Sequence, residues 1–133
     1  AYSIDKTNDG GFIVTGGTYS YGTGNEDMYL LKLNAQGDTA WTKTYGGTNQ
    51  DEAKSVKSTS DGGYVLCGIT KSFADLHGDA FTIKINSVGD TLWTYLYSDT
   101  LLDVANDVIE SSQGGYIIGG ITKSVENGNG MIP

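Results

Sequence analysis

One string of residues occurs three times in this chain, and it restricts the fold more than any other feature. Asp9-Gly10-Gly11-Phe12-Ile13-Val14-Thr15-Gly16-Gly17-Thr18 returns as Asp61-Gly62-Gly63-Tyr64-Val65-Leu66-Cys67-Gly68-Ile69-Thr70. It returns again as Gln113-Gly114-Gly115-Tyr116-Ile117-Ile118-Gly119-Gly120-Ile121-Thr122. The starts lie about 52 residues apart, a period found in propeller and solenoid arrays. The chain therefore reads as an array: unit 1 at residues 1–52, unit 2 at 53–104 and a partial unit 3 at 105–133.

Each unit predicts four short strands, a to d. Strand a is Ala1-Tyr2-Ser3-Ile4, then Ala53-Lys54-Ser55-Val56, then Ala105-Asn106-Asp107-Val108, a small residue followed three places later by a β-branched one. Strand b is the Gly-Gly string, apolar on both alternating faces, so both faces should be covered. The preceding Asn8-Asp9-Gly10-Gly11 and Ser60-Asp61-Gly62-Gly63 supply the hairpin turn. Strand c runs from Asp27 to Asn34 and from Asp79 to Asn86. Tyr29, Leu31 and Leu33 lie on one face, as do Phe81, Ile83 and Ile85, with Lys32 and Lys84 on the other. Strand d runs Thr39 to Tyr45 and Thr91 to Tyr97, after turns with Gly37 and Gly89 at matching places. With 20 Gly and 1 Pro the turns must be glycine turns, and no segment has helical apolar spacing over ten or more residues. Four strands per unit predict an all-β, β-propeller-type array of four-stranded antiparallel blades, about two and a half of them here. Unit 3 ends where its strand c should begin. The partners expected are the remainder of a longer propeller chain or copies of this chain in a ring or fibre.

Sixteen acidic and eight basic side chains leave a formal charge of −8, which repels phosphate backbones and anionic lipid and argues against nucleic acid as a partner. No apolar run approaches the roughly 20 residues of a membrane helix, so membrane insertion is not expected. Residues 1–20 lack the basic and apolar blocks of a signal peptide, so a secreted chain would carry its signal elsewhere or have lost it. The single Cys67 sits in a strand pattern and reads as a small core residue.

Asp-Gly-Gly-Tyr, Thr-x-Ser, the strand c lysine and Gly-Asp-Thr-x-Trp-Thr together resemble the tandem repeats of large secreted Bacteroidetes proteins, often sorted by type IX secretion. The resemblance spans Asp9 to Asp51 and Asp61 to Asp103, with part of a third copy from Gln113 to Ser124. Unit 3 departs from it by Gln113 in place of Asp, and unit 2 by Ser98-Asp99 where unit 1 has Gly46-Gly47. It implies a propeller fold, an extracellular or cell-surface location, and O-glycans on Asp-Thr motifs at Thr39, Thr91 and Thr100.

Chemistry is sparse. His77 is the only histidine, so no histidine cluster can form within the chain, and Cys67 has no evident base. Asp27, Asp79 and Glu26 beside strand c offer oxygen ligands without EF-hand spacing, and turn capping suits them and Asp51 and Asp103 better. The glycine pairs at Gly10-Gly11, Gly62-Gly63 and Gly114-Gly115 lack the strand-to-helix context of a phosphate loop. Trp41 and Trp93 recur at one structural position, which favours packing between blades over sugar stacking. The units differ most in the b-to-c loops, at 19–26, 71–78 and 123–130. Tyr19, Tyr21, Phe73 and His77 are the candidate recognition residues there. The expectation is a non-enzymatic extracellular scaffold for adhesion or surface architecture, with no cofactor and no metal. The alternatives are a glycan-binding, lectin-like propeller and an accessory part of a secreted hydrolase.

Overall fold

A computed structural model describes residues 1–22, 24–73, 76–98 and 101–123. It contains ten strands among the described residues: β1 (Ser3–Lys6), β2 (Phe12–Thr18), β3 (Asp27–Leu33), β4 (Thr39–Tyr45), β5 (Asp51–Ser58), β6 (Tyr64–Thr70), β7 (Asp79–Ile85), β8 (Thr91–Tyr97), β9 (Asp103–Glu110) and β10 (Tyr116–Thr122). The protein is all-β, and every strand pair is antiparallel. Sheet 1 has the order β1-β2-β3-β4, sheet 2 the order β5-β6-β7-β8, and sheet 3 holds β9 and β10. Strands b, c and d fall where the alternation places them. Strand a differs: it begins at Ser3 in the first unit and reaches back to Asp51 and Asp103 in the others, because those residues already pair with Thr70 and Thr122.

Two turn chemistries repeat. Between strands a and b, Thr7 N–H donates to the Gly11 carbonyl and Gly10 N–H to the Thr7 carbonyl. Thr59, Gly62 and Gly63 do the same in sheet 2, and Ser111, Gly114 and Gly115 in sheet 3. The first glycine of each pair has φ near +84°, a left-handed conformation that an L side chain seldom adopts. In sheets 1 and 2 the second glycine is required by space: a Cβ at Gly63 would stand 2.3 Å from the Ile85 carbonyl oxygen and 2.7 Å from Lys84 Nζ. Between strands c and d, Asn34 Oδ1 accepts from the N–H groups of Gln36 and Asp38, and Asn86 Oδ1 from those of Val88 and Asp90. The side chain thus stands in for a backbone turn, as Asn does well.

Packing follows from alternation along the strands. Ile13, Met28 and Leu30 on one face of sheet 1 meet Val56, Tyr64, Leu66, Phe81, Ile83 and Ile85 on the facing side of sheet 2, with Trp41, Tyr45 and Leu96 at the margin. The opposite face of sheet 2 sends Val65 and Cys67 against Ala105 and Val108 of sheet 3. Sheet 2 is therefore covered on both sides, and every residue of β6 is buried, as the apolar strand b pattern requires. β2 holds buried and half-buried residues with Gly17 exposed, and β10 is mostly exposed, because among the described residues each has a neighbouring sheet on one side only. Burying a Leu or Ile side chain contributes about 2 kcal/mol, so these two seams carry most of the stability.

Candidate functional site

The polar groups that recur in sequence build two structural devices, the first of them present in both sheet 1 and sheet 2. In the first, Lys32 and Lys84, whose side chains are buried, reach back across strand b to the a-to-b turn. Lys32 Nζ lies 3.0 Å from Asp9 Oδ2, and Lys84 Nζ lies 3.0 Å from Asp61 Oδ2. Each ammonium also donates to the carbonyl of the next residue, Leu33 or Ile85. The Thr59 hydroxyl, Gly63 N–H and the Lys84 ammonium together hold the Asp61 carboxyl down at about 2, and the matching groups around Asp9 hold it below the usual carboxylate range. Alternation along strand c gives the lysines their face but leaves their carboxylate partners open. The recurring Asp before each Gly-Gly pair is the available signal.

In the second device, Asp51 at the start of β5 is buried and accepts from the Thr70 hydroxyl, from the Ser72 hydroxyl at 2.6 Å and from Gly47 N–H at 2.9 Å. The Thr-x-Ser motif is thus the binding partner of the aspartate that opens strand a. Asp51 caps its turn through Gly47, as its place before strand a suggests, and it also ties strand b to strand a. Gly46, at φ +153°, is fixed between two carboxylates: a Cβ there would come 2.4 Å from Asp27 Oδ1 and 2.7 Å from Asp51 Oδ2. Glu26 accepts from the Tyr19 hydroxyl and from Gln50 Nε2, each at 3.0 Å. Among the described residues no group of three or more His, Cys, Asp or Glu side chains is arranged to hold a metal ion.

The sheets are joined by contacts that repeat one period apart. Trp41 meets Tyr64 edge-on at 6.1 Å between ring centres, and Trp93 meets Tyr116 at 5.6 Å. The Asp51 N–H donates to the Glu26 carbonyl across the first seam, and the Asp103 N–H donates to the Gly78 carbonyl across the second. Further ties across the seams include Ser58 N–H to Asp5, the Ser55 hydroxyl to Asp107 and the Ser60 hydroxyl to Glu110. The tryptophans are packing residues between sheets. Tyr45 adds to the first seam by donating its hydroxyl to the Gly89 carbonyl at 2.6 Å, and burial pushes that phenol well above its usual pKa.

The candidate recognition residues do not converge on one site. Tyr19, Tyr21, Phe73 and His77 are all exposed, but they belong to two different loops. Tyr21 stacks on Tyr29 at 6.3 Å and Phe73 on Phe81 at 5.3 Å, so each loop folds its aromatic ring onto strand c of its own sheet. Around Tyr21 and Tyr29, with Thr42, Lys43 and Thr44, lies an open hollow of about 340 Å³. A second hollow, of about 270 Å³, lies between β7–β8 and β9–β10 and is walled by Tyr95, Tyr97, Ile118 and Ile121. Thr39 and Thr91 are exposed at the starts of β4 and β8. Thr100 and the region expected to hold strand c of unit 3 lie outside the described residues. Cys67 is buried in the seam between sheets 2 and 3, and burial pushes its thiol up to about 12. Compared with protein-family models and with curated proteins, the chain finds no match in either.

Proposed function

We propose that this chain is a stretch of a β-propeller-type array that serves as a non-enzymatic, extracellular structural or interaction scaffold. The observation that supports this reading is the repetition of the seam itself. The Trp–Tyr contact and the backbone hydrogen bond that join sheet 1 to sheet 2 recur, one period later, between sheet 2 and sheet 3. A joint used twice with the same parts can be used again, and among the described residues both ends of the stack present apolar faces of the kind buried inside it. Catalysis is given no role, because the buried Asp51, Lys32 and Lys84 are engaged in turns and strand ties. The test is the mass of the native polypeptide and of its assembly, measured by sedimentation. A closed set of about 4 to 8 sheets is expected. A stable, cooperatively melting monomer of these 133 residues overturns the reading. The surface location is tested separately, by protease shaving of intact cells.

Glycan binding is the second reading, and the exposed Tyr21–Tyr29 stack beside Lys43 favours it. Binding on a glycan array that vanishes on Tyr21→Ala would support it. The equivalent pair in sheet 2 weighs against it. There, a side chain at Gly47 of the preceding turn would meet Ser72 at 2.6 Å and the Phe73 ring at 3.6 Å, so this loop serves as a seat for a neighbouring sheet. O-glycans at Thr39 and Thr91 belong to the same proposal, and treatment of the native protein with a β-eliminating base would reveal them by loss of mass.

A further inference from the structure

The last strands of sheets 1 and 2 are edge strands of the same type with different chemistry. β4 reads Thr39-Ala40-Trp41-Thr42-Lys43-Thr44-Tyr45 and β8 reads Thr91-Leu92-Trp93-Thr94-Tyr95-Leu96-Tyr97. In β4 the central position holds Lys43, whose ammonium lies 3.5 Å from Asp90, and a lysine in mid-edge opposes pairing with another strand. One period on, the same position is Tyr95, and β8 carries no charge at all. Among the described residues no strand pairs with the outer edge of β8, and Trp93, Tyr95 and Tyr97 share the face turned toward sheet 3, where Trp93 meets Tyr116 while all three keep 40% or more of their surface exposed. A strand of this composition, with no Gly, no Pro and no charge, favours strand addition.

We propose that two copies of this chain pair edge to edge through β8, antiparallel about a two-fold axis, so that sheet 2 of each joins into one eight-stranded sheet. The bulge opposite Lys84 and Ile85 disturbs β8 near Leu92, which leaves Trp93 to Tyr97 as the regular stretch. Centred there, the axis passes Tyr95, which stands opposite itself. Trp93 of one copy then faces Tyr97 of the other, and Thr94 faces Leu96. The face so formed carries three aromatic cross-strand pairs, a type that stabilises antiparallel pairing. Charge agrees with the choice of a second copy as partner: in a chain of formal charge −8, β8 is a place where two molecules meet without placing carboxylates opposite each other. The hydrogen bonds of the pairing use the outer edge of sheet 2, while its aromatic side chains lie on the face turned toward sheet 3, beside the contact of Trp93 with Tyr116.

The experiment is sedimentation of the full chain over a range of concentrations, beside Tyr95→Lys. The mass of the native species is expected to double as concentration rises, and Tyr95→Lys, which sets two ammonium groups opposite each other on the axis, is expected to keep the undoubled mass with an unchanged circular dichroism spectrum. A native mass that does not rise with concentration, or a doubling that survives Tyr95→Lys, overturns the proposal. Should Tyr95→Lys fail to fold, Tyr95→Cys decides. Cys67 is buried, so the introduced thiol is the accessible one, and under mild oxidation it is expected to give a covalent dimer at least tenfold faster than Thr42→Cys on β4. Equal rates overturn the pairing.

Discussion

Ile4 and Val56 hold the same place in successive units, yet 61% of Ile4 is exposed and none of Val56. Phe12 and Val14 are half-buried where Tyr64 and Leu66 are buried, although the strands share one pattern and one pairing register. The residues are equivalent, and what differs is the neighbour. Sheet 2 has a sheet on each side, and sheet 1 has one on a single side among the described residues. Burial here is therefore a property of position in the stack, and the apolar strand b string is written for the interior positions.

That comparison can be broken first by truncation in the two strands. Leu66→Ala should cost about 3 kcal/mol in urea unfolding, since it opens a cavity inside a closed seam. Val14→Ala, on a face open on one side, should cost about 1 kcal/mol. Equal costs would mean that the two faces are equally covered in solution. A smaller effect, of about 2 kcal/mol, is expected for Gly63→Ala, whose Cβ would meet the Ile85 carbonyl at 2.3 Å, whereas Gly115 meets nothing within 4 Å. Gly115→Ala should cost only the strain of its φ of +79°, about 1 kcal/mol, and thermal melts of the two variants should rank accordingly.

The smallest expected effect concerns acid. The folded-state pKa of Asp61 lies below its unfolded value, so its contribution to stability is complete above the unfolded pKa and is lost as pH falls toward about 2. Its side chain is largely exposed, so the contribution is below about 1 kcal/mol. Asp61→Asn should flatten the pH dependence of the melting temperature below pH ~4. Gln113, which replaces the aspartate in sheet 3, offers no such titration there. An unchanged acid limb in the variant would show that the Lys84 contact gives no net stability.

Much of this architecture is legible in the residues. Alternation places Tyr29, Leu31 and Leu33 on one face and Lys32 on the other, and the glycines at Gly10, Gly62 and Gly114 mark turns with φ of +84° to +85°. The recurrence of Trp41 and Trp93 marks a joint, because identical residues at one period meet identical surroundings in a stack. What stays hidden in the sequence are pairings across loops. Lys32 and Asp9 lie 23 residues apart, and Asp51 and Thr70 lie 19 apart. Period-two alternation fixes a face, but it does not say which charge on that face meets which. The loop aromatics mislead for a related reason: polar flanks make Tyr21 and Phe73 look available, whereas each ring rests on the strand behind it.

The lone thiol of Cys67 gives the molecule a built-in clock. It is sealed where sheets 2 and 3 meet, and its pKa of about 12 keeps almost none of it as thiolate at neutral pH. An alkylating reagent can therefore reach it only during the moments when the two sheets part. The rate at which the native chain takes up label is thus a direct count of how often that seam breathes, with no probe to be introduced and no second cysteine to confuse it.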